Sequence, residues 1–158
     1  MDKQAVALKL WVVLARAYAA VSERAARDVA RHGLTLAEFA VMEALYHKGQ
    51  LLLGEVQKKI LVSSGGVTYL VDRLEQRGLV ERRLCAEDRR ARYASLTAEG
   101  QAFMSRIFPE HAECITEVAS ALTIEQQQQV TQLLRDLGRH AADDLVEQKT
   151  PAANERAR

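Results

Sequence analysis

The sequence predicts a mainly α-helical chain that carries one small β-hairpin, and three observations support this. Along most of the 158 residues, apolar side chains recur at i, i+3, i+4 and i+7. Thr35-Leu36-Ala37-Glu38 and Thr123-Ile124-Glu125-Gln126 are capping boxes that open helices, while Gly33, Gly49 and Gly78 follow helical runs as stop signals. Between Leu79 and Leu96 the period shifts: Leu79 to Leu84 and Arg92 to Leu96 read as two strands around a tip crowded with Glu87, Asp88, Arg89, Arg90 and Arg92.

The first helix is expected over Ala5 to Arg31. Val6, Leu10, Val13, Leu14, Ala17, Val21 and Ala25 form one stripe, and Leu8, Trp11, Val12, Ala15 and Ala19 a second. A helix apolar on two faces must bury both. The second helix runs from the Thr35 box to Gly49, and a short third spans Leu53 to Leu61, with Lys58 and Lys59 near its end.

The fourth helix has Ser63 as its natural N-cap and stops at Gly78. Val67, Leu70, Val71 and Leu74 make an inward stripe, so at about 100° per residue the outward set is Gly65, Thr68, Tyr69, Asp72 and Gln76, with Gly66 and Arg73 at its edges. Two glycines in a first turn each cost roughly 0.5–1 kcal/mol relative to alanine. They either relieve crowding against the preceding helix or let a helix N-terminus, with its free N–H groups, come close to DNA.

A short helix, a second helix with a bare first turn and a basic hairpin are the parts of a winged helix-turn-helix that holds duplex DNA. In that reading Ser63, Ser64, Gly65, Gly66, Thr68 and Tyr69 meet the major groove, and Lys58, Lys59 and Arg73 hold phosphates. Arg89, Arg90 and Arg92 work at the wing, with Asp88 bracing Arg90 for a minor groove. Asp72, outward and acidic, counts against the arrangement.

After the hairpin Thr97 caps a helix whose stripe of Phe103, Ile107, Cys114, Ile115, Val118 and Leu122 crosses Pro109, where a kink is expected. Val130, Leu133, Leu134, Leu137, Ala141 and Leu145 stripe the last helix. Long terminal helices with spare apolar faces imply a partner, most economically a second copy related by a two-fold axis. The expected organisation is one domain over residues 1–147, with a winged lobe at 34–96, dimerisation helices at 5–31 and 97–147, and a disordered tail at 148–158.

Charge divides along the chain. Lys48 to Arg92 holds ten basic and six acidic residues, a net of +4, and Thr97 to Glu147 holds three basic and nine acidic, a net of −6. One part suits a polyanion and the other does not. Lys3, Lys9 and Arg16 interrupt the first helix, so no run reaches the ~18 apolar residues of a spanning segment, and no membrane partner is expected. Cys85 and Cys114 make neither a disulfide framework nor a zinc site, which fits a cytoplasmic setting. No nucleotide fingerprint, HExxH or CxxC is present, and His32, His47, His111 and His140 are scattered, so neither an enzyme nor a cofactor is expected. Cys85, near Arg82, Arg83 and Arg89 but also near Glu87 and Asp88, leaves open a thiol-sensing alternative, and the hairpin a protein-contact module.

The segment Leu34 to Phe39, the stretch Ser63 to Gly78, the wing signature Asp88-Arg89-Arg90 after Arg77-Gly78-Leu79-Val80, and Leu96-Thr97 with Gly100 resemble the MarR family of bacterial transcriptional regulators, from about Leu8 to Leu145. Ser63 to Tyr69 is similar to a quinone- and catechol-responsive subgroup. Peroxide-sensing members carry their cysteine near the start of the first helix, where this chain has none. The resemblance implies a homodimeric repressor released from double-stranded DNA by a small aromatic or phenolic effector bound between the dimer helices and the DNA-binding lobe. Trp11 and Tyr18, two turns apart on one face of the first helix, with His111 past Pro109, are the expected pocket residues.

Overall fold

The computed structural model describes residues 2–60, 64–84 and 91–148, without the side chains of residues 64, 65 and 143–148. The elements are α1 (Lys3–Ala30), α2 (Leu36–Lys48), β1 (Leu51–Leu52), α3 (Leu53–Ile60), α4 (Ser64–Gln76), β2 (Val80–Leu84), β3 (Arg92–Leu96), α5 (Ala98–Ala119) and α6 (Ile124–Gln148). Helix α1 starts two residues earlier than expected because Asp2 caps it, accepting from the Gln4 N–H at 3.1 Å. It ends into Gly33, whose φ of +72° favours glycine. The Thr35 box is formed in both directions, with the Glu38 N–H donating to Thr35 Oγ1 at 3.1 Å and the Thr35 N–H to Glu38 Oε2 at 2.8 Å. The Thr123–Gln126 box is formed likewise.

The hairpin is the larger part of a three-stranded antiparallel sheet in the order β1-β3-β2. Leu51 pairs with Ala94 and Leu52 with Tyr93, while Val80 to Leu84 pairs with Leu96 to Arg92. The two-residue β1 is too short to show a period, so the sequence pointed to two strands. Helix α5 runs unbroken from Ala98 to Ala119 through Pro109. The wing tip, Ser63 and Cys85 lie outside the described residues, as does nearly all of the tail expected at 148–158, while α6 reaches Gln148.

The core of the lobe joins Phe39, Met42 and Leu45 of α2 to Val56 of α3, to Val67, Leu70, Val71 and Leu74 of α4, and to Met104 and Ile107 of α5. The inward stripe of α4 is buried as the spacing requires, each side chain contributing about 1.5–3 kcal/mol. Contacts cluster into two compact units, Met1–Thr116 and Glu117–Arg158. Every described side chain of α6 except Gln127 is exposed in the single chain.

Most of both apolar faces of α1 is exposed as well, including Leu8, Leu10, Trp11, Val13 and Tyr18, while Leu14 is half-buried and Ala25 buried. An 18-residue window of α1 has a mean hydropathy of 1.5, so by length and composition this helix could cross a membrane, contrary to the sequence expectation. Two charges spread over such a window lower its mean too little to disqualify it.

Near the end of α1, Asp28 is buried and holds Arg31 at 2.5 Å and His111 Nδ1, from α5, at 2.9 Å. Burial would raise the Asp28 carboxyl, but the hydrogen bonds to Arg31 and His111 outweigh it and keep the group below its ordinary value of 3.8. A depressed carboxyl contributes stability that is present above 3.8 and lost as pH falls through its folded value. Asp28→Asn is therefore expected to destabilise the protein by about 1–3 kcal/mol at neutral pH. Thermal melts should show that difference shrinking below pH 3.8. A gap as wide in acid as at neutrality would contradict the assignment.

Candidate nucleic-acid interface

Because α4 docks through its apolar stripe, its opposite face is open. Thr68, Tyr69, Arg73 and Gln76 are exposed, Asp72 and Gly66 half-buried. Ser64 and Gly65 lie in the first turn of the helix. Tyr69, 58% exposed, is the large aromatic on that face.

Asp72 does not present a bare negative charge. It pairs with Arg82 of β2 at 2.6 Å, and Glu75 holds the same guanidinium through Nε at 3.0 Å and Nη2 at 2.5 Å. Glu75 first, with Asp72, raises the Arg82 pKa above its ordinary value. The pairing fixes β2 to α4 and sets the wing's root, a function that spacing alone had not revealed.

Arg77, Arg83 and Arg73 are also held from within. Arg77 Nη1 donates to the Gly33 carbonyl at 2.9 Å, and Arg83 pairs with Glu81 at 2.6 Å. Arg73, expected at a phosphate, instead sets Nε 2.8 Å from Oε1 of Glu38, which is 1% exposed. Its guanidinium lies above its ordinary pKa, through the hydrogen bond to Tyr69 and then the Glu38 charge.

Lys58, Lys59 and Arg92 differ. All three are exposed, and among the described residues none has an ion pair. Lys58 and Arg92 line one shallow groove of about 400 Å³ with Leu52, Leu53, Gly54, Glu55 and Ala91, between α3 and the root of the wing. Lys59 borders another, of about 310 Å³, beside Glu43, His47 and Lys48 of α2. Adjacent in sequence, the two lysines therefore line different grooves. Asp88, Arg89 and Arg90 fall outside the described residues.

The expected aromatic pocket is not assembled in the single chain. His111 is engaged with Asp28 and packs against Phe39 at 4.3 Å between centroids, the rings tilted by 51°, whereas Trp11 and Tyr18 are exposed at 66% and 73%. Helical spacing put all three among packing helices but could not say that His111 had a carboxylate partner. Cys114 is a half-buried free thiol.

Residues 32–91 match the profile described as MarR family. The chain is 42% identical over 134 residues to the HTH-type transcriptional regulator MhqR of Bacillus subtilis, covering 85% of this chain and 92% of that protein. It is 29% identical over 120 residues to the homoprotocatechuate degradative operon repressor of Escherichia coli, 74% and 81% of the two chains. Among solved structures it is similar to that of Bordetella bronchiseptica BpsR, described for the regulation of its DNA binding by 6-hydroxynicotinic acid, with a TM-score of 0.75, 25% identity, and coverage of 82% of this chain and 98% of that one. With a helix-turn-helix docked on a three-stranded sheet, an open recognition face and a relative this similar along its length, the chain belongs to the MarR family of winged helix-turn-helix transcriptional regulators, DNA-binding proteins and not enzymes.

Proposed function

We propose that this chain is a homodimeric repressor of the bacterial cytoplasm, released from its operator by small hydroxylated aromatic compounds. The observation that carries the DNA reading is the open Thr68–Tyr69 face of α4, in a lobe whose exposed Lys58, Lys59 and Arg92 have no ion pair among the described residues. Ser63, Ser64, Gly65 and Gly66 are assigned the close approach to the major groove, Lys58 and Lys59 phosphates, and Arg89, Arg90 and Arg92 the wing's contact with DNA, with Asp88 bracing Arg90. The exposed apolar faces of α1 are covered by a second copy rather than by lipid.

The relatives support the effector class: one represses an operon for degradation of a catechol, and another has its DNA binding regulated by a hydroxylated aromatic acid. Trp11 and Tyr18, exposed on α1, would border such a ligand once a partner covers that helix. The ligand weakens DNA binding only through better affinity for a form unfit for DNA, a coupling of about 1–3 kcal/mol in typical cases.

The test is binding to the protein's own upstream DNA over a salt series, with and without catechols, hydroquinones and salicylate-like acids. Lys58→Ala and Arg92→Ala should each flatten the slope of log affinity against log salt by about 0.9. Affinity that does not fall with salt would reject the DNA reading, and a panel without effect at millimolar concentration would reject the effector class.

A further inference from the structure

We propose that Arg73 is a positioning residue for Tyr69 rather than a phosphate contact, holding the phenol by a bridge anchored on the buried carboxylate of Glu38. The proposal rests on the reading of α4 as the DNA-contacting helix. Glu38 is fixed where it sits: it is the third residue of α2, and its Oε2 accepts from the Thr35 N–H that closes the capping box. Its other oxygen, which has no aligned hydrogen bond, forms an ion pair with Arg73 Nε at 2.8 Å, and Arg73 Nη1 donates to Tyr69 Oη, one helical turn earlier, at 3.3 Å. The guanidinium carbon is 5.8 Å from the Tyr69 ring centroid. One planar group therefore spans a buried anion and an exposed phenol, which a flexible ammonium would not reproduce.

The direction of the hydrogen bond has a chemical consequence. Arginine only donates, so the phenol oxygen accepts, and the Tyr69 O–H is left to donate outward. A donor held on the open face of a recognition helix suits a hydrogen-bond acceptor on a base edge in the major groove, such as purine N7, guanine O6 or thymine O4. Arg77, in the turn that follows α4, donates to the Gly33 carbonyl, so α4 and its C-terminal turn are tied to the segment from Gly33 to Glu38 at two points. A phosphate anchor would be poorly served by a guanidinium already paired with a carboxylate, whereas Lys58 and Arg92 have no ion pair among the described residues.

The test compares wild type, Tyr69→Phe, Arg73→Lys and the double variant on operator and on a scrambled duplex of equal length, over a salt series. Each single variant should lower the operator-to-scrambled affinity ratio about five- to tenfold, and the double no further, because the two act as one unit. The salt slope of Arg73→Lys should stay at the wild-type value, since no phosphate contact is lost. Retention of the wild-type ratio by Arg73→Lys, additive losses in the double variant, or an Arg73→Gln protein whose slope falls by about 0.9 would overturn the proposal in favour of a phosphate contact. Tyr69→Phe removes one exposed hydroxyl and leaves the core intact, so an unchanged ratio for it overturns the proposal even if Arg73→Lys fails to fold. A wild-type protein that binds both duplexes equally at all salts would instead defeat the DNA-reading function itself.

Discussion

Gly100→Ala is expected to destabilise the protein by roughly 3 kcal/mol or more, lowering the melting temperature by about 10 °C. A Cβ at this position would lie 1.9 Å from the Leu79 carbonyl oxygen and 2.9 Å from its carbon. The obstacle is backbone, which cannot rotate aside. The contact is built by Thr97, whose hydroxyl donates to the Gly78 carbonyl at 2.6 Å and accepts from the Gly100 N–H at 3.0 Å, while the Thr97 N–H donates to the Leu79 carbonyl at 3.1 Å. Gly78 itself turns at φ +72° to bring the chain out of α4 and into β2. The start of α5, the end of α4 and the root of the wing thus meet at one point, and a methyl group there must push them apart. Gly54→Ala, where nothing lies within 4 Å, is the control and should melt close to wild type. A Gly100→Ala protein that also melts there would show that the approach is not tight.

The helix ends were legible because they are local: the Thr35 and Thr123 boxes and the glycines that follow α1, α2 and α4 act within a few residues of themselves. The inward stripe of α4 was legible because burial of Val67, Leu70, Val71 and Leu74 imposes the helical period. What escaped depends on partners distant in sequence. Glu38 looked like a capping residue and nothing more, since its second oxygen is claimed by Arg73 from another helix. Asp72 looked like an objection to DNA binding until Arg82 took its charge. Gly100 entered only as part of the family resemblance, because a helical glycine reveals a close approach only once the opposing backbone is in place. The apolar excess of α1 was visible, and with it the need for a partner: most of the faces that spacing marked for burial are open in a single chain.

That openness leads to the prediction with the largest effect on function. Val130, Leu133, Leu134 and Leu137 fall at i, i+3, i+4 and i+7 on α6 and are 40–67% exposed. On α1 a comparable set from Val6 to Val21 is exposed too. Soluble monomers seldom leave contiguous apolar patches beyond a few hundred Å² uncovered, and a second copy would cover both helices while setting two α4 helices about one DNA turn, ~34 Å, apart. Introducing charge by Leu133→Glu with Leu137→Glu is therefore expected to yield monomers in sedimentation. Operator affinity should fall about 100-fold or more, because each half-site must then be bound without the help of the other. If folding and pairing are one process, the double variant will lose helical signal, and the wild-type melting temperature will rise with protein concentration, as mass action requires of an obligate dimer. A wild-type chain that sediments as a monomer at micromolar concentration, or a double variant that stays dimeric and binds its operator normally, would mean that these leucines face something other than a second copy.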